Sequence, residues 1–273
     1  MSRPGESGVA SVAVAWFRFY AELNDFLPAP GRGKRVKRHF DVVGPVKDLV
    51  ESFGVPHTEI GLILINGESV AFSHAVRDGD CVSVYPTFES LDVSSVSRVA
   101  VAVRGPRFVA DVHLGRLAAY LRMAGFDTLY TNTASDSELV EAVVREGRVL
   151  LTRDRYLLMR ADVEEGYWIR SADPKQQFLE VVKRFHLAAS MQPFTRCMKC
   201  NNMLAPVGRD SIWDRLPPRV REKTEFRLCS GCGAVYWEGT HHERMSKILD
   251  WVKANTGTLR DQLDAGVRGG GVC

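Results

Sequence analysis

Residues 149–155 read Val149-Leu150-Leu151-Thr152-Arg153-Asp154-Arg155, a short apolar run that stops on a threonine, an acid and two arginines. A run this short, uninterrupted by polar residues and preceded by Gly147, predicts a strand covered on both faces. The same signal recurs outward from it. Upstream, Phe108–Ala110 is an apolar strand closed by Asp111, and residues 128–130 form another. Between them Leu114, Leu117, Ala118 and Leu121 mark one face of a helix that ends at Gly125. Ser135 and Glu138 have capping-box spacing for a helix carrying Leu139, Ala142 and Val143, ended by Gly147. Downstream, residues 167–169 make a fourth strand. Asp173 then caps a helix with Pro174 at its first position, and Phe178, Val181, Val182 and Phe185 form its apolar face. Strands alternating with helices predict an α/β segment with a mostly parallel sheet.

That topology gathers chemistry. Asp111, Asp136, Asp154 and Asp173 each follow a predicted strand, and open parallel sheets bind ligands beyond the carboxyl ends of their strands. Converging carboxylates repel one another unless a cation lies between them. Mg²⁺ or Mn²⁺, with oxygen ligands and retained waters, is the usual answer, and such a site suits in-line displacement at a phosphodiester. Asp136 and Asp173 also have structural reasons to be acidic, as a first-turn residue and an N-cap. Asp111 and Asp154 are less easily dismissed, Asp154 standing directly after a buried strand among Thr152 and two arginines. Arg116, Arg122, Arg153 and Arg155 are the candidate phosphate contacts, some of which must serve the fold instead.

The six cysteines divide unevenly: Cys197, Cys200, Cys229 and Cys232 form two CxxC pairs, while Cys81 and Cys273 stand alone. Two CxxC knuckles complete a tetrahedral thiolate site, so residues 191–255 read as a ribbon around a structural Zn²⁺. A redox CxxC would need only one pair. Pro217-Pro218 marks an insertion looped out between the knuckles. With four thiols available, His241 and His242 are not needed as ligands. Tyr236 and Trp237 are candidates either for stacking on bases or for packing against the rest of the chain.

The first 89 residues have a different pattern. Strands are predicted at 12–19, 35–42, 60–65 and 81–85, with a helix carrying Val46, Leu49, Val50 and Phe53 closed by Gly54. Asn66-Gly67 is a hairpin turn. Two strands, a helix and further strands predict a small β-grasp domain. Residues 90–104, beginning serine-rich, read as a linker, and 256–273 as a flexible tail. The chain has 273 residues, 45% hydrophobic and 25% charged, with a formal net charge of +3. That balance is ordinary for a globular protein and argues little by itself for a polyanionic partner. Two basic clusters argue more: Arg32, Lys34, Arg35, Lys37 and Arg38, and Arg215, Arg219, Arg221, Lys223 and Arg227. No run approaches a membrane span and no signal-peptide pattern opens the chain, so a cytoplasmic location and no membrane partner are expected.

Asp111-Val-His-Leu-Gly115-Arg116-Leu117, Leu121-Arg122-Met-Ala-Gly125-Phe-Asp127-Thr128 and Leu151-Thr152-Arg153-Asp154-Arg155 together resemble the PIN-like ribonucleases of the Mut-seven C-terminal family. The likeness continues through Arg196-Cys197-Met-Lys-Cys200-Asn201 and Tyr236-Trp237-Glu-Gly239-Thr240-His241. Residues 1–89 resemble the ubiquitin-like domain fused ahead of such nucleases, through Ile65-Asn66-Gly67 and Asp78-Gly79-Asp80. They are also similar to sulfur-carrier β-grasp proteins, but Pro86-Thr87-Phe88-Glu89 stands where those carry a Gly-Gly tail. The resemblance implies a divalent-metal-dependent RNase at 105–190 acting on RNA, with tRNA, another structured RNA or the ribosome as candidate partners and the β-grasp domain as a docking module for a protein. It places Asp111, Asp136 and Asp154 at the acidic positions and Asp173 as a fourth, with Glu138 or Glu141 as alternatives to Asp136. A non-catalytic RNA-binding or ribosome-associated protein is the competing expectation.

Overall fold

The computed structural model describes residues 12–41, 43–88, 93, 95–99 and 105–256. Most of the expected linker and the tail beyond residue 256, with Cys273, lie outside the described residues. The chain divides near residue 102 into two compact units. None of the helices among the described residues is long and apolar enough to cross a membrane.

The first unit is a five-stranded mixed sheet. Its strands are β1 (Ala13–Phe19), β2 (Arg35–Phe40), β3 (Ile60–Ile65), β4 (Glu68–Ser69) and β5 (Cys81–Pro86), in the order β2-β1-β5-β3-β4. β1 runs parallel to β5, and the remaining pairs are antiparallel. Alternation along β1 sends Ala15, Phe17 and Phe19 inward, and helix α1 (Val46–Glu51) buries Val46 and Val50. Phe53 packs its ring 5.0 Å from Phe17 and 5.2 Å from Phe19. The β3–β4 hairpin turns on Asn66 and Gly67, both at positive φ, the conformation that makes Asn-Gly the favoured two-residue turn. The Asn66 carboxamide also ties the turn to the start of β5, accepting from the Cys81 N–H at 2.9 Å and donating to Asp80 at 2.8 Å. This is the ubiquitin-like arrangement expected from residues 1–89. The chain just past β5 stays against the sheet: a Cβ on Gly61 would meet the Pro86 carbonyl and the Thr87 backbone at 2.5 Å.

The second unit holds a four-stranded, all-parallel sheet: β6 (Phe108–Ala110), β7 (Thr128–Leu129), β8 (Val149–Thr152) and β9 (Gly166–Trp168), in the order β7-β6-β8-β9. Alternation splits its side chains between two cores. Phe108, Ala110, Val149 and Leu151 face α2 (Gly115–Met123) and α5 (Pro174–Arg184). Val109 and Leu150 face α3 (Asp136–Glu146) and the short α4 (Arg155–Leu158). Both faces are buried, which is why the strands read as apolar runs.

The cysteine-bearing segment forms an antiparallel ribbon of β10 (Leu204–Val207), β11 (Phe226–Cys229) and β12 (Val235–Trp237). The insertion around Pro217 and Pro218 folds into 3-10 turns that bury Ile212, Leu216 and Val220 against Phe226. The sequence separates 105–190 from 191–255; in the structure both lie in one unit. After the ribbon, α6 (Thr240–Asn255) returns to the α/β body and places Leu249 and Val252 in the core of Phe178 and Val181.

Arg122 makes the central tie between the two parts. Expected among the phosphate contacts, it is 4% exposed instead. Its guanidinium donates to the carbonyls of Thr128 at 2.9 Å, Met198 at 3.1 Å and Lys199 at 3.0 Å, so it spans α2, β7 and the first cysteine knuckle. An arginine ending α2 next to a helix C-terminus reads as surface; only the ribbon folding back over it makes it buried. Arg122→Lys keeps the charge but loses the planar fork, leaving buried carbonyls unpaired at about 1–3 kcal/mol each. The expected result is a melting temperature lowered by about 5–15 °C, measured by calorimetry; an unchanged transition would remove Arg122 from this role.

Candidate active site and metal centre

The parallel order puts the carboxyl ends of β7, β6 and β8 side by side, and one acid arrives from each. Asp111 follows β6 directly, Asp154 lies two residues beyond β8, and Asp136 opens α3 after β7. All three line one open cleft of about 430 Å³, together with Val112, His113, Arg153, Arg155 and Tyr156. Asp111 is its buried member, 7% exposed. One carboxylate oxygen accepts from the Thr152 hydroxyl at 2.6 Å and the other from the His113 N–H at 3.2 Å. Thr152 in turn accepts from the Asp154 N–H at 2.9 Å. A carboxylate only accepts, so the Thr152 hydroxyl points its one hydrogen at Asp111 and receives the Asp154 N–H on a lone pair, linking the two acids through one side chain. Asp154 is exposed and caps α4, accepting from the Tyr156 N–H at 2.8 Å. Arg155 lies over the Trp168 ring, whose indole N–H donates to the Arg153 carbonyl.

The alternatives to Asp136 are occupied elsewhere. Glu138 closes the expected capping box: its carboxylate accepts from the Ser135 N–H at 2.7 Å and the Ser135 hydroxyl at 2.8 Å, and these bonds hold it below the usual carboxylate range. Glu141 pairs with Arg145 one turn on. Neither lines the cleft. Asp173 lies outside it too, capping α5 by accepting from the N–H groups of Lys175 and Gln176; the strand order leaves β9 at the far edge, away from β7. Arg116 is exposed on α2 and is not among the lining residues. His113 and Tyr156 are in the cleft without having been singled out from sequence. His113 had a signal, since it sits two residues past a strand-end acid; Tyr156 had none.

The second centre is the four-cysteine set. All four sulfurs lie within 4.8 Å of one another, with Cys197–Cys232 at 3.5 Å and Cys200–Cys229 at 3.3 Å. A tetrahedron with Zn–S bonds of about 2.3 Å has S–S edges near about 3.8 Å, so the set fits zinc. The two knuckles are built alike. Cys197 N–H donates to Asn202 O and Cys229 N–H to Ala234 O, and a residue at positive φ follows each second cysteine, Asn201 and Gly233. Asparagine tolerates that conformation, and here its carboxamide bridges outward, accepting from the Thr128 N–H at 3.0 Å and donating to Asp127 at 2.8 Å. Burial pushes the Cys200 thiol up, but the Asn202 N–H and neighbouring cysteines outweigh it and bring the pKa to about 6. Cys232 keeps the help of the Ala234 N–H, yet burial and the three surrounding cysteines push it up to about 12. Four thiolates this close need a cation. Among the described residues, no three carboxylates are drawn together as these thiols are.

Asp127 sits where the ribbon meets the sheet. Burial raises its pKa, but hydrogen bonds from Arg148 and Asn201 outweigh it and leave it below the ordinary value. A depressed folded-state pKa contributes stability above the unfolded value of about 4, lost as pH falls through the folded value. The destabilisation of Asp127→Asn relative to the parent should therefore shrink below about pH 4. Parallel pH–melting profiles would remove Asp127 from this linkage.

A parallel α/β body with acids at adjacent strand ends, continuous with a four-cysteine ribbon, defines a PIN-like nuclease fold with a zinc-ribbon extension. Residues 106–249 match the family described as the Mut7-C RNAse domain, and residues 12–92 match the one described as Mut7-C ubiquitin. The chain belongs to the Mut7-C RNAse family, with the ubiquitin-like domain preceding the nuclease domain. No curated protein and no solved structure matches it.

Proposed function

We propose that this chain is a divalent-cation-dependent ribonuclease that hydrolyses RNA phosphodiester bonds, with tRNA or another structured RNA as its substrate class. The observation that carries the reading is the meeting of Asp111, Asp136 and Asp154 in one cleft with Arg153 and Arg155. The oxygen-only acidic set fits Mg²⁺ or Mn²⁺, ions that keep several waters and take one or two carboxylates. Asp111 and Asp154 would hold it, and Asp136 would share that shell. When bound, the ion supplies activation of water and charge compensation at the phosphate. The chain's own part is positional. Thr152 and the His113 N–H fix the Asp111 carboxylate, and Arg153 and Arg155 hold the phosphate in the cleft. Water adds to phosphorus, the P–O bond to the leaving sugar oxygen breaks, and that oxygen takes up a proton.

The ribbon cysteines would hold one structural Zn²⁺, and unpaired thiols suit the reducing cytoplasm. The ubiquitin-like unit would dock a protein partner. The test is incubation of purified protein with total RNA across a Mg²⁺ and Mn²⁺ titration, beside an Asp154→Asn control. Cleavage that rises with cation and stops with chelator is expected. RNA bound but never cut would support the competing reading of a non-catalytic RNA-binding protein.

A further inference from the structure

The motif around Tyr236 and Trp237 lies outside the acidic cleft. With the chain at Phe194 and the start of α6 it encloses a second cavity, of about 160 Å³, sharing no residue with the first. Four ring-bearing residues, Phe194, Tyr236, Trp237 and His242, share its wall with Met198, Leu204 and Met245. The Tyr236 hydroxyl is tied to Cys197 Sγ at 3.2 Å, so the cysteine knuckle sets the ring. Phe194 packs 4.2 Å from the His242 ring. Its φ is +58°, a costly backbone conformation for a bulky residue, held by its N–H donating to the Met123 carbonyl at 2.8 Å. Such strain persists where the surroundings over-determine it, and ligand sites are a frequent reason.

Some polar groups at this cavity are engaged, Arg196 with the Gly125 and Asn201 carbonyls and Arg227 with the Phe194 carbonyl at 3.4 Å, and others are not. The Trp237 indole N–H finds no acceptor among the described residues, and Glu225 and Glu238 have no ion-pair partner there. Arg227, exposed at the same wall, adds positive charge. Flat apolar faces, an unused donor, unused acceptors and a cation together match one ligand chemistry: a planar heterocycle with hydrogen-bonding edges joined to a phosphate. An aliphatic side chain would leave the edge groups unpaired. We propose that this cavity receives a single unpaired nucleobase of the RNA substrate, stacked among Tyr236, Trp237 and His242, with Arg227 on the adjoining phosphate. The substrate therefore includes a single-stranded stretch, because only an unstacked base can be splayed into a pocket. This rests on RNA being the ligand, as proposed above, and not on cleavage.

The experiment uses the full chain carrying Asp154→Asn, so that RNA stays intact, with zinc content measured in each preparation. A labelled single-stranded RNA and the same strand with abasic residues are titrated by fluorescence anisotropy. Stacking contributes enough that the intact strand should bind about tenfold more tightly, and adding His242→Ala should abolish most of that difference. An oligonucleotide with 5-iodouridine should crosslink to the peptide bearing Tyr236 and Trp237; this arm also decides the matter if His242→Ala loses its zinc. Equal affinity for intact and abasic strands, or crosslinks confined to other peptides, overturns the pocket. Base-dependent binding by a parent chain that never cleaves would sink the nuclease and leave the pocket standing; cleavage with base-independent binding would do the reverse.

Discussion

Asp154→Asn lowers RNA cleavage by at least about a hundredfold, the scale on which single electrostatic groups act at a reacting phosphate or acyl centre, while the melting temperature stays at the parent's value. The structure makes this the cleanest variant. Asp154 is exposed, and among the described residues its side chain makes one hydrogen bond, an oxygen accepting from the Tyr156 N–H, which asparagine reproduces. Only the charge is lost. Asp111→Asn should reduce cleavage as much but with a structural cost. Asp111 accepts on both oxygens, from Thr152 and from the His113 N–H; asparagine keeps one acceptor and sets an NH₂ in place of the other. A destabilisation of about 1–2 kcal/mol is therefore expected for that variant alone. RNA affinity should persist in both, since it rests on arginine and lysine contacts to phosphate. Undiminished cleavage by Asp154→Asn would take the acidic cleft out of the chemistry.

Removing the metal from the cysteine set has the larger consequence for stability. Purified protein should carry about one zinc per chain. Cys229→Ser, or exhaustive chelation, should abolish the folded ribbon, because binding at such sites is folding energy, about 10–16 kcal/mol in isolated zinc peptides. Here the loss should spread. Arg122 holds the carbonyls between Cys197 and Cys200 onto α2, and Asn201 links the knuckle to β7 through Thr128. Their release leaves a buried guanidinium without its partners in the nuclease body. RNA cleavage should fall together with the ribbon's protease resistance, although no cysteine touches the cleft. The ubiquitin-like unit contains none of the four ligands, so its own transition should remain. Zinc-free protein with an unchanged melting profile would show that the cysteines do not hold a structural ion.

The sequence by itself determined every feature whose cause is local. Hydrophobic alternation placed β1, and unbroken apolar runs placed β3, β6 and β8, within a residue of their ends, because side-chain pattern follows backbone geometry and burial. The Ser135–Glu138 box, the Asp173–Pro174 start of α5 and the left-handed Gly147 were legible because caps depend on residues three or four positions apart. The cysteine pairs were legible because a knuckle is a six-residue object. Tertiary structure decided whatever depended on which distant segments meet. Asp136 and Asp173 look alike in sequence, both acids at a helix start after a strand; the order β7-β6-β8-β9 puts the one following β7 in the cleft and leaves the other out. Arg116 and Arg122 lie on one helix, but only Arg122 is covered, by a knuckle 76 residues later in the chain. Helix α6 is polar over much of its length and carries only Leu249 and Val252 as buried residues, too few for periodicity to announce that it completes the nuclease core. Burial is a property of the folded chain, and for these residues no local pattern could stand in for it.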